Sequence, residues 1–136
     1  MDPVSEILDE KGRHVFTVSD DATVTAAVQR MCEHKVGALF ICDGDLPIAT
    51  FTERDLMSRV VVNEWDPQRT LVRDVMTPVP VSIHPDTEAA DAMKLMTRHR
   101  CRYLPVVAAG RIVGIVSMGD LVSWIGRSQA LELSKP

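Results

Sequence analysis

Nowhere does this sequence carry an apolar run near the roughly 20 residues that a membrane-spanning helix needs. Its opening, MDPVSEILDEKGR, lacks the basic-then-apolar order of a secretory leader. Basic residues are scattered, and the densest group, Arg98-His99-Arg100-Cys101-Arg102, is short. With a formal net charge of −4, the chain lacks the clustered cations that neutralise nucleic-acid phosphates. Membrane insertion, export and nucleic-acid binding are therefore not expected. The cytoplasm is the expected location.

Chemistry is equally thin. The three cysteines, Cys32, Cys42 and Cys101, are odd in number, sit among apolar neighbours and form no CxxC pair. Buried free thiols in a reducing compartment account for them. Cys32/His34 and His99/Cys101 are each two residues apart, a spacing that does not share a helix face, and no further ligands cluster nearby. Around Ser117, GIVSMGD lacks the second glycine of a GxSxG elbow. No cysteine has a partnered His and acid in a recognisable motif. The expectation is no catalytic residue, no metal, no obligatory cofactor and no enzyme.

What the chain does have is itself, twice. Residues 17–60 slide onto 82–125 without a gap, with identities at Asp21/Asp86, Ala27/Ala92, Met31/Met96, His34/His99, Leu39/Leu104, Asp55/Asp120, Leu56/Leu121 and Ser58/Ser123. Upstream, VSEIL at 4–8 echoes VRDVM at 72–76 with an offset of 72 − 4 = 68 instead of 82 − 17 = 65. The first copy thus has three extra residues around Asp9–Arg13.

Within each copy the periodicities agree. Val24, Ala27, Val28 and Met31 form one apolar helix face, repeated by Ala89, Ala92, Met93 and Met96. Asp21 and Asp86 stand where an N-cap or first-turn carboxylate is expected, and His34 and His99 where a cation complements a helix end. ALFIC-DGD-PIATF and YLPVV-AAGR-IVGIV read as hairpins. Helices follow at DLMSRVVV and DLVSWIG. The expected fold is α+β: two β-α-β-β-α repeats, 1–66 and 67–136 with its C-terminal tail, joined by the polar link NEWDPQRT. Each is too small to stand alone, so the pair is expected to share one compact module about a pseudo-two-fold axis. The methionines read as core or interface filler. Trp65 and Trp124 suit either an oligomer surface or ordinary partial burial.

At the end of each hairpin a hydroxyl precedes an aspartate by three: Thr52-x-x-Asp55 and Ser117-x-x-Asp120. A capping box needs nothing more. Yet both copies use Asp where Glu or Gln is usual, and both lie where a strand meets a helix, whose free N–H groups attract anions. A carboxylate there can also accept the hydroxyls of a ribose. Capping and nucleotide binding are compatible, and both stay open.

The repeat resembles a tandem pair of cystathionine β-synthase (CBS) domains, the Bateman module. The resembling stretches are VRDVMTP at 72–78, RYLPVV at 102–107 and GIVSMGDL at 114–121, with weaker counterparts VSEIL, GALFIC and ATFTERDL. The resemblance implies adenosine-containing ligands (AMP, ADP, ATP or S-adenosylmethionine, sometimes dinucleotides) in two clefts between the repeats. By it, Asp55 and Asp120 hold ribose hydroxyls, with Thr52 and Ser117 nearby. Leu71, Val75 and Met76 of the second lead-in serve the Asp55 cleft, and Val4, Ile7 and Leu8 of the first serve the Asp120 cleft. Arg54 and Arg102 are its phosphate candidates, though each also reads as a plain surface charge. Gly114 serves either close packing or adenosine access. The first copy has Ala49 in its place, Gly119 replaces Arg54, and Gly37 replaces Arg102. The two clefts are therefore expected to be unequal. The implied function is a stand-alone regulatory homodimer that signals occupancy to another protein. The alternative is a ligand-free dimerisation or docking scaffold of the same fold.

Overall fold

The structure, a computed structural model, describes residues 2–133, with side chains through Arg127. The end of the C-terminal tail, 134–136, lies outside the described residues.

The chain forms α1 (Val4–Lys11), α2 (Val24–His34), β1 (Ala38–Asp43), β2 (Leu46–Thr52) and a short α3 (Glu53–Asp55) that runs into a π-helical stretch, Leu56–Val61. A 3-10 turn at Val72–Asp74 leads to β3 (Thr77–Pro78). Then come α4 (Ala89–His99), β4 (Tyr103–Ala108), β5 (Arg111–Ser117) and α5 (Met118–Leu133). The mixed α+β class and both hairpins are as the sequence predicts. Even the irregularities repeat: a bulge follows Ile41 in the first hairpin and Val106 in the second, equivalent positions of the two copies.

Each helix starts and stops for a local reason. Thr23 Oγ1 accepts the Ala26 N–H at 3.1 Å and caps α2. The helix ends at Lys35, whose left-handed φ of 55° is matched by 53° at Arg100 after α4. His34 and His99 occupy the last turns as expected. Asp21 and Asp86 are not caps, a correction to the sequence reading. Both helices begin later, after Thr23 and Glu88, and Asp21 Oδ1 instead accepts the Ser19 hydroxyl at 2.6 Å. The expected first strand of each repeat is likewise reduced to a single parallel bridge, Thr17 to Phe40 and Ile83 to Val106.

Two compact units result, 15–79 and 1–14 with 80–136. These do not follow the repeat boundaries at 66 and 67, because each lead-in packs with the body of the other repeat. In the 15–79 unit, Val72 and Val75 of the second lead-in are buried with Val24, Ala27, Met31, Leu39 and Phe51. Its β3 adds a third strand, pairing with Ala49 and Thr50 of β2. In the other unit, Val4, Ile7 and Leu8 of the first lead-in are buried with Ala92, Met96, Leu104, Val116 and Leu121. Here the lead-in remains helical as α1 and packs on β5 and α5. Burying such aliphatic side chains contributes about 1.5–3 kcal/mol each, so the lead-ins are structural members and not loose arms.

Cysteine placement departs from expectation. Cys32 is exposed, since position 32 lies off the buried Val24–Ala27–Met31 face, while Cys42 and Cys101 are half-buried. Burial pushes both of the latter thiols up, aided at Cys42 by the charge of Asp45.

Candidate functional site

Both hydroxyl-x-x-aspartate motifs sit where a strand passes into a helix, and both close a reciprocal cap. At the first, the Thr52 N–H donates to Asp55 Oδ2 at 2.9 Å and the Asp55 N–H donates back to Thr52 Oγ1 at 3.3 Å. At the second, Ser117 N–H to Asp120 Oδ2 is 2.9 Å and Asp120 N–H to Ser117 Oγ is 3.0 Å. Beyond the cap the two aspartates part company.

Asp55 is sealed, with a side chain 8% exposed. The Thr52 hydroxyl also donates to Oδ2 at 3.1 Å. Thr77, reaching in from β3, donates to Oδ1 at 2.8 Å, and Arg59 Nε stands 3.6 Å from the same oxygen. Both carboxylate oxygens are thereby engaged.

Asp120 is open by comparison, with a side chain 25% exposed. Its Oδ2 takes the Lys11 ammonium at 2.7 Å together with the Ser117 N–H. Its Oδ1 takes no hydrogen bond among the described residues. Lys11 Nζ also donates to the Ile115 carbonyl at 2.9 Å. Burial alone would push the Asp120 carboxyl up. The Lys11 hydrogen bond and charge, with the bonds from Ser117, outweigh it and hold the group below the ordinary carboxylate range.

A cavity of about 280 Å³ lies against this carboxylate, lined by Ile7, Glu10 and Lys11 of α1 and by Gly119, Asp120, Ser123, Trp124 and Arg127 of α5. Positions 120, 123, 124 and 127 follow i, i+3, i+4, i+7, so one face of α5 supplies that wall. Arg127 pairs with Glu10, and its guanidinium carbon lies 5.4 Å from the Trp124 ring centre. The Trp124 indole N–H donates to Asp2 at 2.8 Å.

The other sequence candidates are dispersed. Ser117 stays beside Asp120 through the cap, and Ile7 reaches the cavity. Val4 and Leu8 are fully buried in the core and do not line it. Val75 is likewise fully buried, so it packs the core and offers no surface to a ligand. Met76 packs half-buried against that core, and Leu71 is half-buried, bridging to Thr23. Arg54 is exposed with no side-chain partner among the described residues. Arg102 is exposed and is not a wall of the cavity; its carbonyl accepts the Met118 N–H at 2.8 Å. Gly114 is settled by packing: a Cβ there would meet Leu8 Cδ1 at 2.7 Å and Cδ2 at 2.8 Å.

The residues missed in the sequence are Thr77, Arg59, Lys11, Glu10 and Arg127. Arg59 is legible at i+4 from Asp55. Lys11 falls in the three-residue excess of the first lead-in, a signal that marks the place without naming the partner.

Comparison with known proteins gives this arrangement its family. The model described as "CBS domain" matches residues 4–62 and again 72–127. The chain belongs to the CBS-domain family. The CBS domain-containing protein YhcV of Bacillus subtilis is 36% identical over 118 residues, covering 87% of this chain and 84% of that protein. A candidate signal-transduction protein with CBS domains from Burkholderia ambifaria superposes with a TM-score of 0.88 at 37% identity, covering 94% of this chain and 96% of its own. A hexameric CBS-CP12 protein from cyanobacteria superposes with a TM-score of 0.81 at 26% identity, covering all of this chain and 76% of its own.

Proposed function

We propose that this CBS-domain chain is a regulatory module that binds an adenosine-containing nucleotide, of the AMP, ADP or ATP kind, in the cavity between α1 and α5. Asp120 accepts the ribose hydroxyls there. The observation that carries the reading is the open Oδ1 of a carboxylate fixed at a strand-to-helix junction, against a cavity walled by two cations. Asp55, enclosed by Thr52, Thr77 and Arg59, is assigned a structural role, which leaves one binding site and one retained cap. Because α1 comes from the first repeat and α5 from the second, a ligand seated between them biases how a lead-in lies on the body it packs with. That bias is the signal passed to a partner protein.

Calorimetric titration with AMP, ADP, ATP and S-adenosylmethionine tests the reading. A ribose contact to an ionised carboxylate contributes about 1.5–3 kcal/mol, so Asp120→Ala should weaken binding tenfold or more while Asp55→Ala does not act through the ligand. Equal affinity in wild type and Asp120→Ala sinks the assignment.

A homodimer is the accompanying proposal. Met57, Val61, Val62 and Trp65 are 60%, 63%, 74% and 45% exposed within one short segment, an apolar surface that a second copy would cover. Sedimentation of wild type against Val62→Glu checks it: a dimer that survives the charge is not built on this segment.

A further inference from the structure

The proposed site rests the sugar on Asp120, and the role of Lys11 depends on that reading. Lys11 belongs to neither repeated motif. It sits in the stretch by which the first lead-in outgrows the second, so its place beside Asp120 has no counterpart beside Asp55, where the neutral Thr77 hydroxyl stands instead. The same structural role, a lead-in side chain meeting the motif carboxylate, is filled by a cation in one unit and a neutral group in the other.

An ammonium carries three N–H bonds. Asp120 Oδ2 takes one at 2.7 Å and the Ile115 carbonyl another at 2.9 Å. Among the described residues the third is unclaimed, on a side chain that is 36% exposed and lines the cavity. The neighbouring Asp120 Oδ1 is an acceptor that no described residue claims. A hydroxyl-binding acceptor and an anion-binding donor are therefore held side by side, each fixed by the other. Arg127, on the same wall, uses its guanidinium on Glu10 and over Trp124 and retains further donors. That combination matches a sugar hydroxyl close to a phosphate. An uncharged nucleoside gains nothing from the cations, and a sulfonium-bearing ligand is repelled by them.

We infer that Lys11 is a specificity-determining residue: it makes the Asp120 cavity select phosphorylated nucleosides by keeping its ammonium on Asp120 while giving its remaining donor to a phosphate oxygen.

Titration of the full chain with AMP, adenosine and S-adenosylmethionine tests this in wild type, Lys11→Met, Lys11→Arg and Asp120→Ala. Wild type should bind AMP at least ten times more tightly than adenosine, with S-adenosylmethionine weakest. Lys11→Met should bring the AMP-to-adenosine ratio within about threefold while adenosine binding persists, which also shows that the variant is folded. Lys11→Arg should restore most of the ratio. Adenosine-ligand binding that Asp120→Ala abolishes, with the tenfold ratio intact in Lys11→Met, overturns the role of Lys11 alone. Wild type that binds none of the three, or Asp120→Ala with unchanged AMP affinity, overturns the parent reading and this inference with it.

Discussion

The Lys11 ammonium lies 2.7 Å from Asp120 Oδ2, although 109 residues of chain separate the two. The pair ties the first lead-in to the second repeat, and it holds a half-open carboxylate ionised. Because the folded Asp120 carboxyl is held below its ordinary value, protonation opposes folding. The resulting stability is fully present above the unfolded carboxyl value, about pH 4, and is lost as pH falls through the folded one. Denaturant titrations of wild type and Asp120→Asn should therefore show a wild-type advantage that is constant from pH 7 to about pH 5 and shrinks below about pH 4. An advantage that grows on acidification would contradict the sign.

Asp55 should answer differently from its repeat partner. Replacing it with alanine removes a cap contributing about 1 kcal/mol and leaves the Thr52 N–H and Thr77 hydroxyl without their acceptor. Asp55→Ala is expected to cost about 2–3 kcal/mol in equilibrium unfolding. Asp120→Ala, at a more exposed site, is expected to cost less in stability and more in ligand affinity.

Gly114 faces the side chain of Leu8 so closely that both methyls and the branching carbon fall within 3.3 Å of an added Cβ. Leu8 is fully buried and has nowhere to retreat. Gly114→Ala should destabilise by about 1–3 kcal/mol, and Leu8→Val in the same chain should recover part of that loss. Additive costs in the double variant would show that the two side chains do not meet.

The thiols give a test of burial. Cys32 is exposed, while burial raises the Cys42 and Cys101 thiols. A neutral-pH reaction with a thiol-reactive probe should label Cys32 first, and Cys32→Ser should abolish the fast phase.

Much of this is legible from spacing alone. The apolar faces of α2 and α4, both hairpins and both motif caps appear in the sequence because each is local, the longest of them, the hairpins, running only from Ala38 to Thr52 and from Tyr103 to Ser117. What escapes is set at long range or by competition between neighbours. Thr77 and Lys11 reach their aspartates from 22 and 109 residues away, distances that no periodicity encodes. Asp21 and Asp86 have a capping residue's chemistry, but Thr23 sits nearer the first buried position and starts α2. The helix expected through DLMSRVVV is π-helical over Leu56–Val61, a stretch that ends in the β-branched pair Val60 and Val61. The family resemblance assigns Val75 to a ligand, whereas its company of Val24, Leu39 and Phe51 makes it core.

The exchanged lead-ins also set an order of assembly. By the time Val79 leaves the ribosome, the segment 15–79 has every partner of its own buried cluster. Val4, Ile7 and Leu8 emerge before that segment and yet wait for Leu121, which is translated after it. During synthesis this earlier greasy stretch thus finds shelter later than the segment that follows it, and it is there that a holding chaperone would be needed.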